Sequence, residues 1–295
     1  MDSDRLIPKS IEMIVSRSLK GGGFAQRQNG EFRPDVTAWS IIALTTGNIY
    51  RDLVENSCNR LAASQLNDGR IPVAEDLDNV YWPTALAVLA WKSTGGFENE
   101  IKRATKFLVK TSGLHFPREK DSPTGHDTAI RGWPWIAKAH SWIEPTSMAI
   151  LALKATGNAG HDRVQEAVRM ILDRKLPAGG WNYGNTVVFN QELSPTPEHT
   201  GQALCALSGF VHHSEIAKSI DYLGKEISIL KTPISLCWGL FGLMAWAVKI
   251  RDNRERILNS LSLQQRYGHY DTSLLSKLVI AYNTEGNLSG FIMPS

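Results

Sequence analysis

One segment recurs along the chain and limits what it can fold into. Residues 142–157 read WIEPTSMAILALKATG. Counted from Thr146, the same pattern begins at Thr37 (TAWSIIALTTG), Thr84 (TALAVLAWKSTG) and Thr200 (TGQALCALSG). Six positions after each threonine stands an alanine: Ala43, Ala90, Ala152 and Ala206. A unit that repeats every few tens of residues and cannot bury its apolar face alone must stack on its neighbours.

Between these apolar segments lie more polar ones with apolar residues at helical spacing, at about 5–19, 51–65, 98–111, 161–174, 214–229 and 252–265. They predict an outer layer of amphipathic helices. Segments 36–46, 83–94, 145–156, 197–208, 233–248 and 271–281 are apolar or small around most of the circumference and predict an inner layer. Pro83, Pro145 and Pro197 mark first turns, and Gly47, Gly95, Gly157 and Gly209 are expected as left-handed caps. Six hairpins of this kind predict an all-α fold, an (α/α)6 barrel or toroid formed as a single domain over 1–295, with a long insertion at 113–141. A second repeat, Q-x-x-x-G-x-aromatic, fits Gln26, Gly30 and Phe32, and Gln264, Gly268 and Tyr270. Gln65, Gly69 and Ile71 match except at the last position, and Lys175, Gly179 and Trp181 except at the first. Its expected role is a turn with a ring packed on the next hairpin.

Composition narrows the function classes. A formal charge of +3, from 32 basic and 29 acidic residues without long runs, excludes an electrostatic nucleic-acid binder. Cys58, Cys205 and Cys237 form no CxxC pair, as in a reduced protein, and the opening residues carry no apolar signal core. Both point to a cytoplasmic location. The longest apolar run, 233–248, is short for a bilayer span, which leaves at most peripheral membrane contact.

Together the two repeats resemble the QW-motif repeats of the terpenoid cyclase and protein prenyltransferase superfamily, including squalene–hopene cyclases. Segments 132–153 (GWPWIAKAHSWIEPTSMAILAL) and 178–207 carry the likeness most strongly. It implies an α/α toroid around a central apolar cavity, an apolar, isoprenoid small-molecule substrate, and an enzyme of the cyclase or mutase type, in the isomerase or lyase class. The cyclase motif DxDDTA falls on Arg33, Pro34, Asp35, Val36, Thr37 and Ala38, which keeps only the central acid and the TA.

The candidate catalytic residues are therefore Asp35, Glu144 and His199. Asp35 and Glu144 stand two residues before an aligned threonine, as does Glu198. Two readings stay open for each acid: a proton donor faced by aromatic rings, or a first-turn carboxylate favoured by the helix dipole. Trp39, Trp82, Trp133, Trp135, Trp142 and Trp238 are the candidate substrate-binding rings. His199 and the ending Cys205-Ala206-Leu207-Ser208-Gly209 resemble the zinc-histidine helix of prenyltransferase β subunits, which implies a transferase site, with a partner subunit, as an alternative. The matching cysteine, however, is Thr146, a poor zinc ligand, so no metal and no cofactor is expected. His199 paired with Glu144 as acid and base, or simply hydrogen-bonded at the barrel mouth, are the other readings. A toroid that binds lipid or protein without catalysis is a further alternative.

Overall fold

A computed structural model describes residues 5–117 and 124–293; part of the 113–141 insertion, residues 118–123, lies outside the described residues. Helices alternate between an outer and an inner layer. In chain order they are outer α1 (Leu6–Val15), inner α2 (Pro34–Thr46), outer α3 (Arg51–Ala63), inner α4 (Pro83–Thr94), outer α5 (Glu98–Lys110) and inner α6 (Ile143–Ala155). There follow outer α7 (Asp162–Asp173), inner α8 (Pro197–Leu207), outer α9 (His213–Glu226), inner α10 (Pro233–Met244), outer α11 (Asn253–Ser262), a short α12 (Gln264–Tyr267), inner α13 (Thr272–Asn283) and a short α14 (Leu288–Ile292). A small ribbon, β1 (Val187–Val188) and β2 (Gln191–Glu192), was not foreshadowed by the sequence pattern.

The inner helices contact one another in the order α2, α4, α6, α8, α10, α13 and back to α2, so the ring is closed. The expected (α/α)6 barrel is the fold. Burial explains the layering: every residue of α2 from Pro34 to Leu44 is buried, whereas outer α5 buries only Ala104, Phe107 and Leu108. The apolar run 233–248 ends as a helix at Met244, where the chain turns through Ala247 at φ 58°. Gly95, Gly157 and Gly209 take positive φ as expected; after α2 that conformation falls instead on Asn48.

The repeated threonine has a structural task. Its hydroxyl accepts the backbone N–H of the strand-like segment that enters each hairpin: Phe24 to Thr37 at 2.9 Å, Ile71 to Thr84 at 2.8 Å, Trp133 to Thr146 at 2.9 Å and Trp181 to Thr200 at 3.0 Å. Each bond fastens an outer-to-inner loop onto the first turn of an inner helix, where donors and acceptors otherwise go unpaired. The indoles of Trp133 and Trp181 then donate to Leu108 and Ile171, carbonyls at the end of the preceding outer helix. In the first hairpin the equivalent position is Phe24, preceded by Gly22 against the Asn56 backbone, so the Gln26, Gly30 and Phe32 match is out of register. Gln65 does span the junction, donating to Gly69 and Glu100 carbonyls at 2.9 and 3.0 Å.

The centre of the ring is not hollow at mid-height. Trp39 on α2 and Trp238 on α10, helices that are not ring neighbours, meet edge to face at 5.8 Å, and Trp238 meets Phe241 at 5.6 Å. At the other end, the chain after α13 packs Gly286 against Leu240 of α10 and α14 against α4, burying Leu288 and Ile292. The C-terminal ends of the inner helices are thereby covered. The opposite end is formed by the inner-helix N-termini and by the loops 64–82, 111–117, 124–142 and 174–196.

Candidate active site at the N-terminal mouth of the barrel

Closure of the ring places α6 opposite α13, and across that diameter Glu144 faces Lys277. Lys277 is 7% exposed, with its ammonium 4.5 Å from the centre of the Trp39 ring. Among the described residues its one hydrogen-bond acceptor is the Ser273 carbonyl at 3.5 Å, and no carboxylate comes within 4.0 Å. Burial lowers the Lys277 pKa, opposed by the charges of Glu144, Asp271 and Asp35. Burial raises the pKa of half-buried Glu144, the Lys277 charge and the nearby Gln202 amide pull it down, and Glu198 pushes it up again. Two further buried atoms in this region lack partners, Gln202 Oε1 and Ser147 Oγ.

Around this pair, Ser235 donates to Glu198 Oε2 at 2.6 Å, and the other oxygen of Glu198 is 3.8 Å from His199 Nδ1. The same ring nitrogen shares a 2.7 Å hydrogen bond with the Thr196 hydroxyl, and the imidazole lies 4.3 Å from the Tyr183 ring. Burial lowers the His199 pKa, with Glu198 opposing. The carboxylate beside His199 is therefore Glu198, and the expected His199 and Glu144 pair is replaced by two separate arrangements.

Asp35 also stands at this mouth, but both of its oxygens are occupied: Arg33 Nε and NH2 donate to them at 2.9 and 3.0 Å. Both oxygens are committed to one guanidinium, the geometry of a charge-assisted ion pair. Asp35→Asn is expected to leave turnover within a few-fold of wild type and to cost about 1 kcal/mol or less, since Arg33 is partly solvated; turnover and a thermal melt measured side by side check this.

The six tryptophans divide by height. Trp39 and Trp238 form the floor, Trp82 and Trp135 meet edge to face at 5.2 Å at the rim, and Trp142 is half-buried at the start of α6. Trp133 does not belong with them: it is 2% exposed, pinned between hairpins, with Arg163 4.0 Å above its ring. Sequence reasoning passed over Lys277, Gln202, Ser235 and Tyr183. Lys277 had a signal, being a lone cation in the apolar helix TSLLSKLVIAYN. It stands five residues after Thr272, the first residue of α13, as Trp39 and Trp238 stand five after Pro34 and Pro233.

Comparisons with known proteins define what this site is grafted on. No protein-family profile matches the chain, and no curated protein matches it. Among solved structures, 33 chains match. One is a protein from Actinoplanes, 14% identical, with TM-score 0.59 over 91% of this chain and 81% of that one. Another is an α-1,6-mannanase of glycoside hydrolase family 76 from Salegentibacter sp. HEL1_6, inactivated at two adjacent aspartates and bound to α-1,6-mannotriose. It is 12% identical, with TM-score 0.63 over 97% of this chain and all of that one. At such identities the similarity speaks for the fold.

The neighbour with a stated activity is a glycoside hydrolase holding a polar carbohydrate, and no terpenoid cyclase or prenyltransferase stands beside it. The expected cyclase of the isomerase or lyase class, its QW motif and its apolar isoprenoid substrate are corrected accordingly. The transferase alternative fails as well, since the Thr146 hydroxyl that replaces the zinc-site cysteine is committed to the Trp133 backbone. Among the described residues, no group of three or more His, Cys, Asp and Glu is placed to hold a metal ion. The non-catalytic lipid- or protein-binding toroid is likewise set aside: it predicts an open channel, whereas Trp39, Trp238 and Phe241 meet in the lumen. No helix among the described residues is long and apolar enough to cross a membrane.

Proposed function

We propose that this chain is a carbohydrate-active enzyme that binds an oligosaccharide at the N-terminal mouth and hydrolyses one of its glycosidic bonds. The observation that carries the reading is Glu144. Burial favours its acid form, and the charge of Glu198 pushes the same way against Lys277 and Gln202. Glycoside hydrolysis needs such a pair in unlike environments, one protonated and one charged. Glu144 delivers a proton to the leaving oxygen, and Glu198, anchored by Ser235, supplies the negative charge that an oxocarbenium-like transition state requires. Trp82, Trp135 and Tyr183 at the rim offer flat apolar faces to the C–H faces of sugar rings. The mannotriose-bound mannanase on the same architecture supports the substrate class. This chain has no two adjacent aspartates, so its acids are drawn from two helices, α6 and α8.

The test is to incubate the purified protein with α-1,6-mannotriose and with a panel of other α- and β-linked oligosaccharides, following new reducing ends. Cleavage of at least one of them is expected. Neither cleavage nor binding of any member would overturn the proposal.

A further inference from the structure

The loop between α7 and α8 is tied to the starts of both helices that carry the candidate carboxyls. Its base is closed by Thr196 N–H on the Trp181 carbonyl at 2.8 Å and by Leu193 N–H on the Thr186 carbonyl at 3.0 Å. Tyr183 makes the two ties. Its carbonyl accepts from the N–H of Ile143, the residue before Glu144, at 2.9 Å. Its ring lies 4.3 Å from that of His199, the residue after Glu198, and Tyr183 is still 60% exposed. From this base the chain runs out into the ribbon β1–β2, whose two-residue turn is Phe189 and Asn190.

Phe189 is out of place in two respects. With φ of 49° and 63° at its central residues, the turn is of the type I′ class, in which Asn-Gly is favoured because both positions are left-handed. Asparagine tolerates that region, but a bulky side chain is crowded there. Phe189 is also 81% exposed, more than any other large apolar side chain among the described residues, and it takes no part in the apolar core. Steric strain and an apolar ring in water both cost stability, and nothing within the fold offsets them. Strain of this kind persists where a residue serves a binding partner.

The neighbouring side chains indicate which partner. No lysine or arginine occurs between Lys175 and Lys218, so the ribbon has no cation of its own for a phospholipid headgroup or a nucleic-acid phosphate. The exposed polar groups beside the ring belong to Asn190, Gln191 and Glu192, two amides and a carboxylate. Amides both donate to and accept from hydroxyls, and a flat ring takes the C–H face of a sugar. We propose that Tyr183 and Phe189 form a platform for sugar units beyond the bond that is cleaved, so that the enzyme binds a long neutral glycan in preference to a trisaccharide. This rests on the carbohydrate reading given above and deepens it.

Phe189→Gly tests the platform, because glycine relieves the turn while removing the ring. The probes are the tri- and hexasaccharide of the linkage that the oligosaccharide panel shows to bind, beginning with the α-1,6-mannosides, titrated calorimetrically against the full chain. The wild type is expected to bind the hexasaccharide at least tenfold more tightly than the trisaccharide. In Phe189→Gly that advantage should shrink to threefold or less, with trisaccharide affinity within twofold of wild type and a melting temperature equal or higher. Equal affinity for the two lengths in the wild type would overturn the platform and leave a carbohydrate enzyme in place. So would an undiminished advantage in the variant, or a fall in its melting temperature, which would make Phe189 a packing residue. Binding to phosphatidylcholine vesicles, or self-association, that is lost in the variant while glycan affinities stay unchanged would give the ring to lipid or to a second copy instead. Binding of no member of the panel would remove the enzyme reading and the platform with it.

Discussion

Glu144→Gln is expected to lower glycoside turnover by about 10²- to 10⁴-fold, the usual loss on removing a general acid, with little change in ground-state binding. The glutamine keeps the volume, so the melting temperature should not fall. The sign of its pH dependence follows from the raised pKa of Glu144 in the folded chain. A carboxyl with a folded pKa above its unfolded value contributes stability that is present below the unfolded pKa and is lost as pH rises through the folded one. A neutral glutamine escapes that loss, and the variant should melt at or above the wild-type temperature at neutral and alkaline pH. Activity of the wild type should likewise decline as pH rises through that pKa, because the proton is then gone. Turnover retained within tenfold in the variant would assign the acid elsewhere at this mouth. A sharp drop in melting temperature would reassign Glu144 to holding the helix start.

The architecture was legible because its signal is repeated: Thr37, Thr84, Thr146 and Thr200 each receive the same kind of bond, so each is required at the same register. Repetition averages out local exceptions. The chemistry lacked that advantage, since each inner helix contributes a different side chain to the mouth. Asp35 and Glu144 occupy equivalent positions, yet one is tied to Arg33 two residues earlier and the other faces a buried lysine across the ring. That difference depends on which helix lies opposite, a fact set by closure. The family resemblance erred for a related reason: recurrent threonine, alanine and glycine report how helices pack in a toroid, and toroids host unrelated reactions. The central apolar cavity is implied by that resemblance alone. Trp39 and Trp238, read as substrate platforms, in fact close that space themselves.

Gly201→Ala should be among the most damaging single-methyl changes in the chain, because α8 and α10 touch backbone to backbone at this point. A Cβ on Gly201 would fall inside the van der Waals shell of the Trp238 carbonyl, and a Cβ on Gly242 would lie 2.6 Å from Gly201 Cα. Both obstacles are main chain within buried helices, so relief requires separating the helices. Overpacking of this kind costs about 1–3 kcal/mol and occasionally more; with backbone on both sides the upper end applies. For a chain of this size a loss of about 3 kcal/mol corresponds to a fall in melting temperature of roughly 6–12 °C. Gly224→Ala on outer helix α9 supplies the control, since a Cβ there meets nothing within 4 Å. It should stabilise the chain by about 0.4–1 kcal/mol through reduced freedom of the unfolded state. The two variants differ from wild type by the same methyl group, and opposite shifts in their melts would isolate helix contact as the cause. Gly201 also precedes Gln202 and sits across from Trp238, so its alanine variant should lose sugar binding even at temperatures where it remains folded. Equal melting temperatures for the two variants would mean that α8 and α10 stand farther apart than the closed ring requires.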